Sequence, residues 1–280
     1  MTIRALYNEV RKKLADVTED PSFEALCLVE KFFGLSHTAL LVHGDREADD
    51  ETEKAFLAAA EKRAQGEPLQ YILGEWEFMG LSLFCGEGVL IPREDTAVVV
   101  QAAIERLHGV QMPKGIDLCS GTGAVALALA AETGASMTAV ELYDPAFGYL
   151  DKNIAEYPEL SVTALRGDVL SKAFAESIPG GLDVIISNPP YIETDELPAL
   201  QREVQHEPKT ALDGGADGLV FYRAICDLWA DKLREGGVLA VEIGETQGEA
   251  VAELFREAGL RDIRIHKDMG ELDRAVSGIK

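Results

Sequence analysis

The spacing of apolar positions divides the chain into two patterns joined by a short extended stretch. Through about residue 65, apolar side chains recur every three or four positions in "IRALYNEVRKKLADV", "PSFEALCLVEKFFG" and "DDETEKAFLAAAEKRAQG". That is the repeat of a helix with one buried stripe. Gly34 and Gly66 stand where the second and third runs stop, and a helix C-terminus favours glycine there. A small helical domain over residues 1–74 is therefore predicted. Between Glu75 and Pro92 the period becomes extended. "WEFMG" and "LSLFCGEGVLIP", separated by Gly80, predict a β-hairpin over residues 75–92 that links two domains.

From residue 93 to 280, short apolar runs alternate with longer amphipathic ones. "GIDLC", "SMTAVE", "LSVTALRGD", "LDVIIS" and "VLAVEIG" read as strands. "AVALALAAETG", "PAFGYLDKNIAEY", "GLVFYRAICDLWADKLREGG" and "TQGEAVAELFREAGL" read as helices. Strands interleaved with helices of this length predict an α/β fold, a Rossmann-like, doubly wound and mostly parallel sheet. The closing runs, "RDIRIHKD" and "DRAVSGI", predict a C-terminal antiparallel hairpin at one edge.

Composition removes several function classes. At 47% hydrophobic and 27% charged residues the chain has an ordinary globular composition. No apolar run approaches the roughly 20 residues needed to span a bilayer, and "MTIRALYNEVRKKLADV" has no signal-peptide core. A cytoplasmic location without membrane partners is expected. Cys27, Cys85, Cys119 and Cys226 form no Cys-x-x-Cys pair and the five histidines are dispersed, so neither a disulfide framework nor a metal site is expected. A formal net charge of -23 opposes any role that depends on neutralising many phosphates, so no direct nucleic-acid partner is expected.

Candidate chemistry collects at the predicted strand ends. The first strand runs into "DLCSGTGAVALALA", where Gly121 and Gly123 occupy a strand-to-helix turn. Such glycines serve either tight packing or close approach of a ligand to the backbone. Glu141 ends the next strand, at the distance where a carboxylate accepts from two ribose hydroxyls; the alternative is an exposed strand-end acid. Asp168, in "RGD", falls on the same edge and either accepts from an adenine amino group or caps the following turn. The fourth strand runs into "SNPPY", residues 187 to 191. Pro189 and Pro190 remove two backbone donors and stiffen the segment, either as a plain turn or so that carbonyls without a sheet partner stand as fixed acceptors.

These motifs carry a resemblance. "DLCSGTGAVALALA" resembles the nucleotide-proximal motif of S-adenosylmethionine-dependent methyltransferases, and "NPPY" is similar to the hallmark of those that methylate planar amino groups. "GEPLQYILGEWEFMGLSLFCGEGVLIPRED", "NPPYIETDELPALQREVQHEPKTALDGGADGLVFYRAI" and "HKDMGELDRAVSG" extend the likeness over nearly the whole chain. Together they resemble the protein-(glutamine-N5) methyltransferases of peptide chain release factors. Three segments depart from that family's usual sequence: "REDTA" stands for Arg-Pro-Glu-Thr-Glu, "LYDPAF" follows Glu141, and "GELDR" stands for Gly-Arg-Asp-Arg.

A monomer is expected, and the resemblance implies a protein that uses S-adenosyl-L-methionine, releases S-adenosyl-L-homocysteine, and takes release factors as protein substrates through its helical domain. Residues 93–280 would be the methyltransferase domain. The target would be the glutamine of a Gly-Gly-Gln motif. Asp117, Gly121, Thr122 and Gly123 would hold the amino-acid part of the cofactor, Glu141 its ribose and Asp168 its adenine. Asn188, which also borders the cofactor, and the Pro189 carbonyl would accept the two amide hydrogens of the substrate. Tyr191 would pack its ring beside that amide, its alternative being a core tyrosine bonded through the hydroxyl. Pro190 would complete the substrate site, and Ile91, Pro92 and Arg93 would line its entrance. Glu203, in "LQREVQHEP", reads either as part of the substrate rim or, the favoured alternative, as part of a solvated helix. The alternatives are a nucleic-acid amino methyltransferase acting on adenine N6 or guanine N2, a regulatory module that binds the cofactor without catalysis, and a nicotinamide-dependent oxidoreductase. The last would want a third glycine where Ala126 stands.

Overall fold

Side-chain caps set where most of the N-terminal helices begin. In the computed structural model, which describes residues 1–280, Thr2, Asp20, Ser36 and Asp49 each accept from the amide three residues on. They open α1 (Ile3–Lys13), α2 (Pro21–Phe33), α3 (His37–His43) and α4 (Asp50–Ala64), satisfying amides that a helix start leaves without partners. α2 stops at Gly34, whose φ of 63° is the left-handed cap expected of it. α4 is capped by Gln65, one residue before Gly66. α3 and a further short helix, α5 (Leu69–Leu73), were not predicted, because runs of seven and five residues are too short to display a helical period.

The chain divides into two compact units, Met1–Glu75 with Gln201–His206, and Trp76–Leu200 with Glu207–Lys280. In the first, Ile3, Leu6, Val10, Leu28 and Phe56 form a buried core. Arg63 is buried beside it. Its guanidinium donates twice to Glu24, at 2.6 and 3.0 Å, and once to Glu203 Oε1 at 2.5 Å. Glu203 therefore corrects the sequence reading. It lies just before a short 3₁₀ turn, Val204–His206, and serves as the second carboxylate for a buried cation whose desolvation demands compensation.

In the second unit, β1 (Glu75–Phe78) and β2 (Leu81–Phe84) form the linking hairpin, turning through Met79 and Gly80 at φ 48° and 81°. Two left-handed residues match the twist of paired strands. Pairing ends at Phe84, so residues 85–92, expected to be extended, are instead a loop. The strands β3 (Lys114–Leu118), β4 (Ser136–Glu141), β5 (Val162–Arg166), β6 (Leu182–Ser187), β7 (Leu233–Glu242), β8 (Arg261–Lys267) and β9 (Asp273–Ile279) make one sheet in the order β5-β4-β3-β6-β7-β9-β8. All pairs up to β7 are parallel, and β9 runs antiparallel between β7 and β8, as the closing hairpin predicted.

Alternation along the strands builds two cores. Met137, Ala139, Val184, Ile186, Val238 and Ala240 meet α6 (Ala97–Arg106) and α7 (Ala124–Thr133) on one face, while Val140, Ile185, Leu239 and Val241 meet Trp229 and α11 (Gly248–Glu257) on the other. α8 (Asp144–Glu156), α9 (Lys172–Ser177) and α10 (Val220–Ala224) complete the layers. One expected helix is cut short. The run 218–237 is helical only through α10, continues as a π turn (Ile225–Trp229) and a 3₁₀ turn (Ala230–Lys232), and enters β7 at Leu233. Strand order reverses between β3 and β6, and beyond the carboxyl ends of strands at such a switch point lies the crevice where open α/β sheets bind ligands.

Candidate active site

The crevice holds one cavity, walled by the loop 88–93, the turns after β3, β4 and β5, Asn188 and Pro190 after β6, and residues 208, 210 and 211. Of the residues singled out in the sequence, Ile91, Pro92, Arg93, Gly121, Thr122, Glu141, Asp168, Asn188 and Pro190 line it. Asp117, Gly123, Pro189 and Tyr191 lie behind the wall.

The turn after β3 explains two of these placements. Asp117 is fully buried, accepts from the Ser120 hydroxyl through Oδ2 at 2.5 Å, and leaves Oδ1 without a partner. Burial pushes its pKa up to about 7, with Ser120 and the Ala126 amide favouring the ionised form. Asp117 thus braces the turn from beneath. Gly123, at φ 84°, opens α7, and a Cβ there would come 2.7 Å from Leu150 Cδ1, so its glycine serves packing. Gly121, at φ 55°, has no close neighbour, which leaves the cavity side of the turn open. Cys119 stands on the same turn at φ 62°, a left-handed conformation that a side chain resists.

Main-chain amides hold the acids of β4 and β5. Glu141 Oε2 accepts from Gly121 N at 3.0 Å, and Oε1 accepts from Leu142 N at 2.8 Å and Tyr143 N at 2.9 Å. Asp168 Oδ1 accepts from Leu170 N at 2.9 Å, so the capping alternative holds for that oxygen. Both carboxylates border the cavity in fixed orientations, set by backbone that cannot easily move. Leu142, Leu170, Val89 and Val125 supply the apolar wall around them.

The other side of the cavity is built from side chains. Asn188 Nδ2 donates to Thr96 Oγ1 at 3.1 Å, and Glu242, at the end of β7, is buried, its carboxyl pKa pushed up to about 7 by that burial. With its nitrogen so engaged, Asn188 retains Oδ1 as a free acceptor on the cavity wall. No hydrogen bond within the chain claims the carbonyl of buried Pro189. Tyr191 packs its ring against the apolar core beneath the sheet, and its hydroxyl lies 3.4 Å from Glu242 Oε1. That is the placement of a core tyrosine bonded through its hydroxyl; burial raises its pKa. At the entrance, Arg93 pairs with the buried carboxylate of Glu207, whose Oε2 accepts from Ile91 N at 2.9 Å. The loop after β6 is thereby tied to the loop after the hairpin.

Sequence reading missed Thr96, Glu207 and Glu242. Glu242 had a usable signal: "LAVE" in β7 repeats the "TAVE" of β4, an acid closing an apolar strand at the ligand-binding edge. Thr96 and Glu207 sit in irregular segments with no period to mark them.

The fold has counterparts among solved structures. It superposes on the hMettl16 catalytic domain, solved in complex with a MAT2A 3'UTR hairpin, with a TM-score of 0.56 at 16% identity over 82% of each chain. Against the T. thermophilus 16S rRNA N2 methyltransferase RsmC, in complex with AdoMet and guanosine, the TM-score is 0.50 at 22% identity, over 74% of this chain and 49% of that one. Residues 96–225 match the methyltransferase small domain family, and residues 5–74 match the PrmC N-terminal domain family. The chain is 39% identical to the release factor glutamine methyltransferase of Moorella thermoacetica over 98% of its length and 97% of the relative's. It is 38% identical to that of Geobacter sulfurreducens over 99% and 96%. The chain belongs to the release factor glutamine methyltransferase family.

Proposed function

We propose that this protein transfers a methyl group from S-adenosyl-L-methionine to N5 of the glutamine in the Gly-Gly-Gln motif of peptide chain release factors, acting in the cytoplasm. The observation that carries the reading is the Asn188 carboxamide, which borders the cavity with its nitrogen engaged by Thr96 and its oxygen left as an acceptor. The chain's formal charge of -23 weighs against the nucleic-acid amino methyltransferase alternative.

The cavity suits the cofactor. Gly121 gives close access to the backbone, Glu141 and Asp168 offer acceptors for ribose hydroxyls and an adenine amino group, and Val89, Leu142 and Leu170 offer apolar surface for a flat ring. When bound, the cofactor supplies an electrophilic methyl on a sulfonium. Glu141 has three amides on its carboxylate, and one lone-pair direction of Oε2 remains for a hydroxyl. Asp117 shapes the glycine turn from behind.

A carboxamide nitrogen is a weak nucleophile because its lone pair is delocalised into the carbonyl, so orientation matters more than a strong base. The Asn188 Oδ1 and Pro189 carbonyl oxygens accept the two N–H groups of the substrate amide and hold it in one plane. Both oxygens also favour the positive charge that develops on nitrogen, without reorganising during the reaction. Pro190 stiffens the segment, and the Arg93–Glu207 pair borders the entrance. We assign residues 1–74 to recognition of the release factor and residues 93–280 to methyl transfer.

The test is incubation of the protein with labelled S-adenosylmethionine and purified release factors, followed by mass spectrometry of the modified peptide. A methyl on the glutamine of Gly-Gly-Gln is expected. Label on RNA or DNA, with none on the release factor, would overturn the reading.

A further inference from the structure

We infer that Gln247 is a positioning residue for methyl transfer: its carboxamide holds the Tyr191 end of the segment after β6, and so fixes where the Pro189 carbonyl points. The inference rests on the role given above to that carbonyl, and it adds the anchor that keeps the oxygen in place.

Pro189 and Pro190 have no N–H to give to a neighbour, and no hydrogen bond within the chain claims the Pro189 carbonyl. The oxygen is therefore open to a substrate, and for the same reason no direct partner holds it. Its direction is set by the backbone torsions between the points where the chain is tied down. Both prolines have a fixed φ, and Pro190 confines its predecessor to an extended ψ, so few soft torsions remain. Fixing the two ends then fixes the middle.

The first end is Ser187, the last residue of β6. It pairs with Leu118 on one side and Val241 on the other, and its hydroxyl donates to the Leu118 carbonyl at 2.5 Å. The second end is Tyr191, beyond the sheet. Gln247 Nε2 donates to its carbonyl at 3.0 Å. Two glycines make room for this main chain: a Cβ on Gly214 would come 2.7 Å from Tyr191 Cα, and one on Gly218, at φ 67°, would collide with the Tyr191 oxygen and with Gln247 Nε2. Ile192 N, donating to Leu212 O at 2.9 Å, continues the seat.

Gln247 is held in one orientation. It stands in the turn between β7 and α11, where its Oε1 accepts from Gly244 N at 2.9 Å and lies 3.3 Å from the Tyr222 hydroxyl. Its Nε2 faces two carbonyls, that of Tyr191 and, at 3.4 Å, that of Gly218. A main-chain N–H can only donate and a carbonyl can only accept, so a flipped carboxamide would lose all three main-chain partners. Oε1 alone suffices to close the turn before α11. The NH₂ is left for the reactive segment, 56 positions back in the chain.

The test compares kcat, both KM values and calorimetric cofactor affinity in the full-length protein, with S-adenosylmethionine and a purified release factor. Gln247→Met keeps the length of the side chain and removes its hydrogen bonds. It is expected to lower kcat by about tenfold or more, while cofactor affinity and both KM values stay within about twofold. Gln247→Glu separates the two ends of the carboxamide. At about pH 8 the carboxylate still accepts from Gly244 N but has no proton for the Tyr191 carbonyl, so kcat should fall as far as in Gln247→Met. A residue that only closed the turn before α11 would instead leave Gln247→Glu within about twofold of wild type. Should Gln247→Met fail to fold, Gln247→Glu decides the matter alone. Near-wild-type kcat in Gln247→Glu, or a loss of cofactor affinity as large as the loss of kcat in either variant, would overturn the positioning role while leaving methyl transfer intact. Absence of transfer by the wild type would instead overturn the functional reading beneath it.

Discussion

The two sides of the cavity are held by different kinds of partner. On the side of β4 and β5, Glu141 and Asp168 are fixed by main-chain amides, four bonds in all, three to Glu141 and one to Asp168. On the side of β6 and β7 the partners are side chains, Thr96 for Asn188 and Glu242 for Tyr191. Main-chain partners come with the fold and resist substitution. Side-chain partners can be replaced singly, and each can be protonated or rotated. The first side is suited to an invariant ligand, the cofactor. The second is suited to fixing one reacting group, because a carboxamide needs its donor and acceptor ends told apart.

The sharpest break of this contrast is Asn188→Ala. Methyl transfer should fall by about 3 kcal/mol in activation free energy, roughly two orders of magnitude, because one preorganised polar group is lost. Calorimetric cofactor affinity should be nearly unchanged. Next comes Glu141→Ala, on the other side. It strands the amides of Gly121, Leu142 and Tyr143, and should cost about 2 kcal/mol of folding stability in urea titration together with cofactor affinity.

Stability against pH sharpens the contrast further, since each side buries one acid with an oxygen lacking a partner, Asp117 Oδ1 and Glu242 Oε2. Both have pKa values pushed up to about 7 by burial, above the roughly 4 of an unfolded carboxyl. The folded state therefore binds more protons than the unfolded one between those values. Their contribution is fully present below about pH 4 and is lost as pH rises through about 7. The unfolding free energy should decline across that window, and Asp117→Asn and Glu242→Gln should each flatten part of the slope. The smallest effect expected is that of Cys119→Gly. Relief of the left-handed φ of 62° should raise stability by about 1 kcal/mol in thermal unfolding, less the added freedom of glycine in the unfolded chain.

Much of this architecture was legible in the sequence, and the reasons are local. β4 and β6 were read to the residue because "SMTAVE" and "LDVIIS" are apolar runs of strand length bounded by polar turns. Gly34 was legible as a cap because only a left-handed position explains a glycine at the end of that period. The π turn at Ile225–Trp229 was not legible. Ile225, Cys226, Trp229 and Leu233 keep a three-to-four spacing through it, so the pattern suggests one uninterrupted helix. α6 escaped as well, since the β-branched run "VVV" obscures its helical stripe.

Site residues divide in the same way. Gly121, Glu141, Asp168 and Asn188 stand at strand ends, and the topological rule alone brings strand ends to one crevice. Glu207 and Thr96 reach it through loops whose course depends on distant contacts. Tyr191 was placed beside the substrate on its motif position, but it stands one residue beyond the cavity-lining Pro190, and a single step along an extended segment turns a side chain from the cavity toward the core.

The most direct test of the central claim is a crystal structure of the protein with S-adenosylhomocysteine and a release factor bound together. The account predicts the Asn188 Oδ1 and Pro189 carbonyl oxygens each at roughly 3 Å from the amide nitrogen of the Gly-Gly-Gln glutamine. Either oxygen turned away from that nitrogen, or held by another donor of the protein, would contradict it.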